Sequence, residues 1–239
     1  MIYVTGDMHG VQNRLIYSKE EKLWTEQDVV IVCGDFGFLF RNNDVENCFL
    51  DDLSHRPYTL CFVDGNHENF PAIYAYPEET WCGGRIHRIR KNVLHLMRGQ
   101  VFEIQGKKIF TFGGAYSRDR SRRELGVSYW EEEIPTPSDY READRNLQAH
   151  GCRVDLVLTH QAPQSIIRRI GESPDPHDAK LTGYLDYLYQ KNAQGKRPLE
   201  FGHWYCGHWH RNVEPAPDFS ILYEKIASIS GRSTKFYGP

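Results

Sequence analysis

No apolar run in the chain approaches the roughly 18 residues a membrane-spanning helix needs, and no charged leader or apolar signal core precedes the opening MIYVTGD. Neither sign of charge dominates. Lys+Arg number 29 against 32 Asp+Glu, a formal net charge of −3, so no global field would hold the protein on nucleic acid or an anionic membrane. The six cysteines contain no C-x-x-C pair. Cys33, Cys61 and Cys206 sit in apolar runs, where a free thiol behaves as a small hydrophobe, so a reducing compartment, the cytoplasm, is expected. Internal repeats, low-complexity tracts and linkers are also missing, which favours one domain over residues 1–239.

What is present is a series of short β-branched runs that stop abruptly at polar residues. Ile2–Thr5 ends at Gly6-Asp7, Val29–Cys33 at Gly34-Asp35, and Tyr58–Val63 at Asp64-Gly65-Asn66-His67. Asp155–Thr159 ends at His160, and His203–Cys206 at Gly207-His208. Uninterrupted runs of this length read as strands buried on both faces of a layered α/β protein. Helices are expected over Val11–Lys22 and Asn42–Leu53, giving a βαβαβ opening with right-handed crossovers. Val101–Ile104 and Lys107–Phe112 flank Gln105-Gly106 as a hairpin. A helix from about Ser138 and closing strands within Phe219–Ser230 complete the outline. Polar insertions near 115–150 and 165–200 are expected to rim the site.

The chemistry follows the strands. In parallel α/β sheets ligands bind beyond the carboxyl ends of the strands, so Asp7, His9, Asp35, Asn66, His160, His208 and His210 should converge. Glycines before them permit tight turns and positive φ. Taken singly, Asp-x-His or Asn-His is an ordinary solvated turn, and His208-x-His210 an ordinary strand face. Clusters of only Asp, Asn and His, each immediately after one of five apolar strands, point instead to metal. Carboxylates, an amide oxygen and imidazoles without thiolate suit Mn²⁺, Fe²⁺ or Zn²⁺. The set exceeds one tetrahedral site, so two metals are expected, the arrangement that clamps both oxygens of a phosphoryl displacement.

The ordered set GDMHG, GDFG, GNHE, LTHQ and GHWH resembles the calcineurin-like metallophosphoesterases, in particular bacterial and phage members, from Asp7 to His210. The resemblance implies a four-layer α/β/β/α sandwich, two central mixed sheets flanked by helices, with two metals at the strand ends, where the donor set makes Mn²⁺ the first expectation. It implies that Asp7, His9, Asp35 and His210 hold one metal and that Asp35 bridges to a second completed by Asn66, His160 and His208. It also implies a metal-bridging hydroxide as nucleophile and His67 as general acid. The protein phosphatases of the family carry GDxVDRG and an Arg before GNHE; here stand Gly34–Phe40 and Asp64, so the phosphate-gripping arginine and the carboxylate that orients the histidine must come from elsewhere. Asp64 or Glu68 is expected to orient His67.

In the insertion, Arg118, Arg120, Arg122 and Arg123 read as a solvated loop or, for Arg118, as a bidentate phosphate ligand. Arg85, Arg88, Arg90 and Lys91 read as a solvated basic face, or as a groove for a nucleotide or nucleic-acid backbone. Tyr184, Leu185, Tyr187 and Leu188 read as packing. The expected activity is hydrolysis of phosphomonoesters, on a phosphorylated small molecule or nucleotide. A phosphodiesterase or nuclease is the alternative within enzymes, and a metal-bound scaffold the alternative outside them.

Overall fold

Each uninterrupted apolar run forms a strand, because a sheet covered on both faces has no solvent side to supply a polar alternation. The structure is a computed structural model that describes residues 1–11, 21–230 and 233–237. In chain order come β1 (Ile2–Thr5), β2 (Val29–Cys33), β3 (Thr59–Val63), β4 (Glu78–Trp81), β5 (Gly84–Arg90) and β6 (Val93–Leu96). Next are β7 (Gln100–Ile104), β8 (Lys107–Phe112), β9 (Leu156–Thr159), β10 (His203–Cys206), β11 (Val213–Ala216) and β12 (Phe219–Ile221). The last two are β13 (Ile226–Ser230) and β14 (Ser233–Tyr237). Two mixed sheets result, ordered β14-β13-β1-β2-β3-β6-β5-β4 and β11-β12-β10-β9-β8-β7.

The helices are α1 (Asp44–Ser54), α2 (Phe70–Tyr74), α3 (Pro137–Ala149), α4 (Gln164–Arg169) and α5 (Ala179–Tyr189). Apolar side chains separate into three layers. One joins the two sheets face to face, with Val4, Ile31 and Val63 meeting Phe102, Ile109 and Leu158. A second lies beneath α1, where Val30, Val32 and Leu60 pack with Leu50 and Leu53. The third lies beneath α3, α4 and α5, where Phe110, Phe112 and Val157 meet Leu147, Ile166 and Leu185. These layers make the four-layer α/β/β/α sandwich, and Leu185 and Leu188 pack as expected.

Helix starts follow local chemistry. The Asn43 side chain accepts the Glu46 N–H at 3.0 Å while the Glu46 carboxylate accepts the N–H groups of Arg41 and Asn42, a reciprocal cap. Thr136 and Asp139 form a capping box before Pro137, so α3 begins one residue ahead of the expected Ser138. The hairpin turns with φ of 50° at Gln105 and 74° at Gly106, the two positive values a tight primed turn requires. The helix expected over Val11–Lys22 falls largely outside the described residues; Glu21 and Lys22 lie in a short 3₁₀ turn. No helix among the described residues is long and apolar enough to cross a membrane.

The sequence reading missed β4, β5 and β6. They form one flank of the sheet with β4 at its edge, and β4 and β5 mix charged with apolar residues instead of forming a clean run. The basic face on β5 is matched by carboxylates: Arg88 meets Glu79 and Arg90 meets Asp51, each at 2.7 Å, and Arg85 meets Glu78 at 3.2 Å. Charge balanced in this way offers little to a nucleic-acid backbone.

Candidate metal centre

Parallel β1, β2 and β3 of one sheet and β9 and β10 of the other point their carboxyl ends the same way. Asp7 and His9 follow β1, Asp35 follows β2, Asn66 and His67 follow β3, His160 follows β9, and His208 and His210 follow β10. The seven expected ligands form one continuous chain of contacts. His210 Nε2 lies 3.0 Å from Asp7 Oδ2 and 2.9 Å from His9 Nε2. His9 Nε2 lies 3.8 Å from Asp35 Oδ2, and Asp35 Oδ1 lies 3.5 Å from His160 Nε2. His160 Nε2 in turn lies 3.0 Å from Asn66 Oδ1 and 3.2 Å from His208 Nδ1.

Backbone geometry brings this about. Positive φ falls at Gly34 (89°) as expected, but also on the ligands themselves: His9 (49°), Asp35 (49°), His208 (67°) and His210 (48°). Non-glycine residues held in that region store strain characteristic of functional sites. Gly65 and Gly207 serve a different purpose. A Cβ on Gly65 would come within 2.0 Å of Asp35 Oδ1, and one on Gly207 within 2.1 Å of Asp7 Oδ1. The turns are therefore free of side chains where buried carboxylates need the space.

Those carboxylates are held by the neighbouring turns. Asp35 Oδ1 accepts the His67 N–H at 2.8 Å, and Asp7 Oδ1 accepts the His208 N–H at 2.7 Å. Burial pushes the Asp35 carboxyl up, but His160, His67 and His9 outweigh it and hold the group well below the usual carboxylate range. Burial drives His208 well down, with His160 adding to the effect. His160 is opposed by burial yet raised by Asp35 and Asp7. The Nδ1–H of His160 donates to the Cys33 carbonyl at 2.8 Å, which leaves Nε2 as the lone-pair nitrogen facing the cluster.

The donor set fits metal. Two groups draw ligand atoms within 4.8 Å of one another, Asp7–His9–His210 and Asp7–Asp35–His160. Buried anions and lone-pair nitrogens converging in this way are costly without a cation.

Further residues hold this arrangement in place. The Asn66 amide N–H donates to Ser117 Oγ at 3.1 Å, turning its oxygen towards His160. Ser117 is fixed by Glu133, which accepts both its N–H and its hydroxyl at 2.8 Å, and Arg120 meets the same carboxylate at 2.8 Å. The polar insertion thus orients Asn66. Nothing in the sequence signalled Ser117 and Glu133, since neither lies near a strand-end motif.

Three expectations concern residues beside the ligands. Arg118 lines the open cleft over the cluster with Asn66, His67 and His208, stacks at 5.0 Å on Trp209 and donates to the Ser173 carbonyl. His67 lines the same cleft, with its Nε2 3.3 Å from Arg123 Nη2. An arginine only donates, so here Nε2 accepts and the ring proton sits on Nδ1. The expectation that Asp64 orients His67 is corrected. Both Asp64 oxygens are committed elsewhere, Oδ1 to His95 Nε2 at 3.1 Å and Oδ2 to Arg98 Nε at 2.7 Å. Burial raises the Asp64 carboxyl, but Arg98 and His95 overcome this and hold it at about 2. Glu68 does not orient His67 either: its Oε1 accepts the Phe36 N–H at 2.8 Å, and burial and then Asp35 push its carboxyl well up. The side chain that does reach His67 is Arg123, itself gripped by Asp119 at 2.6 Å. The sequence showed Arg123 only as one of four neighbouring arginines.

The family model described as calcineurin-like phosphoesterase matches residues 1–212. No curated protein matches the chain.

Proposed function

Because the chain belongs to the calcineurin-like phosphoesterase family and is thus a metal-dependent hydrolase of phosphoric esters, we propose that its strand-end cluster is a dinuclear centre acting on phosphomonoesters. The observation that carries this reading is that Asp35 presents Oδ2 to His9 and Oδ1 to His160, joining the Asp7–His9–His210 group to the buried His160 side of the cluster. Asp7, His9, Asp35 and His210 would hold one cation, and Asp35, Asn66, His160 and His208 the other. Asp35 is assigned the bridge because its two oxygens face His9 and His160 separately. When bound, two divalent cations, with Mn²⁺ as first choice over Fe²⁺ or Zn²⁺, lower the pKa of water and offset charge on the phosphoryl oxygens.

The chain's own groups do the rest. Arg118 donates to a phosphate oxygen from the rim of the cleft. His67 protonates the departing oxygen, and Arg123, with Asp119 behind it, sets the ring's orientation. Buried Asp64 anchors the loop carrying Asn66 and His67 to Arg98 and His95.

The test is elemental analysis with a phosphatase and phosphodiesterase panel on protein stripped of metal and refilled with Mn²⁺, Fe²⁺, Zn²⁺ or Mg²⁺. About two metals per chain and activity only after refilling are expected. One metal or none in excess Mn²⁺ would sink the dinuclear reading.

A further inference from the structure

His67 stands at the junction of two clefts. On one side lies the opening over Asp35, Asn66, His208 and His210, where the phosphate belongs. On the other lies a larger cleft of about 570 Å³, with Arg123 beside His67, half-buried Phe40 and Phe49 in its wall, and Arg41 on the α1 side. Only His9 among the metal ligands reaches it, so holding metal does not account for it. Its volume lies in the range of sites for whole small molecules and exceeds what a phosphate needs.

The lining indicates the occupant. Aromatic side chains in the wall offer a flat ring a stacking surface. The other polar groups on the α1 side are engaged, since Glu46 accepts the N–H groups of Arg41 and Asn42 and Asn43 caps α1. The exposed Arg41 guanidinium is different: it makes no hydrogen bond or ion pair with any other described residue. A ring surface and a guanidinium uncommitted among the described residues, across His67 from a phosphate site, match a ring-bearing leaving group with an anion of its own.

We propose that this cleft seats the leaving group and that the leaving group is a nucleotide, its base against the phenyl rings and its own phosphate on Arg41. The proposal rests on the phosphoesterase reading above. Hydrolysis of such a substrate adds water across one P–O bond. The phosphorus gains the water oxygen, the departing oxygen gains a proton, and inorganic phosphate and a free nucleotide result.

The test compares kcat/KM of the Mn²⁺-loaded enzyme for 2′-deoxyadenosine 3′,5′-bisphosphate, 2′-deoxyadenosine 3′-phosphate and glycerol 2-phosphate. The expected order is bisphosphate, then monophosphate, then glycerol phosphate, with each step worth about tenfold or more. Arg41→Ala should abolish the first step, through KM and not kcat, and Phe49→Leu should shrink the second. A second readout is calorimetric binding of 2′-deoxyadenosine 5′-phosphate with excess inorganic phosphate filling the metal site, which Arg41→Ala should weaken about five- to tenfold. Equal kcat/KM for all three esters, or nucleotide binding indifferent to Arg41→Ala, would overturn the proposal while leaving the phosphoesterase reading intact. An enzyme inert on every phosphate ester after metal loading would instead count against that reading.

Discussion

His67 lies next to Asn66, a proposed ligand, and is itself proposed as the general acid, which gives its substitution a distinctive signature. If it protonates the departing oxygen, its value depends on how much that oxygen needs a proton. General acid catalysis contributes ~10²–10⁴-fold, so His67→Ala should cost that much on alkyl phosphates and little on p-nitrophenyl phosphate. The measurement is a leaving-group series in wild type and variant, with metal content checked in each. A constant offset across the series would mean that His67 positions substrate instead. At this scale the convergence of the seven residues was legible because Asp, Asn and His stand directly after apolar runs. The residues that support them were not, because Ser117, Glu133, Arg98 and Arg123 come from distant segments with no pattern of their own. The Asp64 error has the same origin: proximity to His67 in sequence suggested a contact, but Arg98 and His95 hold the carboxylate in space. Arg98 and Asp64 are both buried, and breaking one side of such a pair typically costs ~3–5 kcal/mol. Arg98→Met should therefore destabilise the metal-free protein by about that amount, and adding Asp64→Asn should recover part of it in urea denaturation. Additive losses would show that the two residues do not act as a pair.

Between strand and ligand lie the turns, and these can be tested apart from the ligands. Gly207→Ala would place a Cβ within 2.1 Å of Asp7 Oδ1 and 2.6 Å of the Cys33 carbonyl, displacing a ligand without removing it. Displaced support of this kind typically costs ~10–100-fold in metal affinity. Gly106→Ala is the contrast: its φ is 74° but nothing lies within 4 Å, so it should cost ~1–2 kcal/mol of stability and no metal affinity. Titration with Mn²⁺ and urea denaturation on both variants separate the two effects, and unaltered Mn²⁺ affinity in Gly207→Ala would contradict the steric account. The elements themselves were readable where burial on both faces made strands uniformly apolar, as in β1, β2, β3, β9 and β10. Strands β4 and β5, at and next to the sheet's edge, gave no such signal, because they mix charged with apolar residues and their register depends on pairing with each other and with β6.

Across the whole molecule, metal binding and acidity act on the same fold. Cations that bind only the native state stabilise it by mass action, about 2.7 kcal/mol at a hundredfold excess over Kd, so chelation should lower Tm by several degrees. The chelated protein then exposes a second dependence, behind the catalytic loop. His95 Nε2–H donates to ionised Asp64, so its Nδ1 accepts the Nδ1–H of His87 at 3.0 Å. Burial, with His95 adding to it and Asp64 and Arg85 acting in opposite senses, lowers His87 from 6.5 to about 4. Because the folded value lies below the unfolded one, the unfolded chain takes up the extra proton. Stability from neutral His87 is therefore complete above about pH 6.5 and is lost as pH falls towards about 4, at up to ~1.4 kcal/mol per pH unit. Asp64 adds a later loss, since its carboxyl falls from 3.8 unfolded to about 2 folded and its contribution disappears as pH drops through that range. His9, His67 and His208 shift in the same direction as His87, while His160 and His210 shift the other way. The raw pH profile is therefore a sum, and the difference between wild type and His87→Asn isolates one group. The variant retains a donor for His95 but has nothing to titrate. Urea denaturation in chelator from pH 7 to 4 should show the wild type losing stability more steeply, by about one proton's slope, between pH 6.5 and 4. Parallel profiles over that window would mean that His87 takes up its proton in the folded protein as readily as in the unfolded chain, and that burial beside His95 does not hold it neutral.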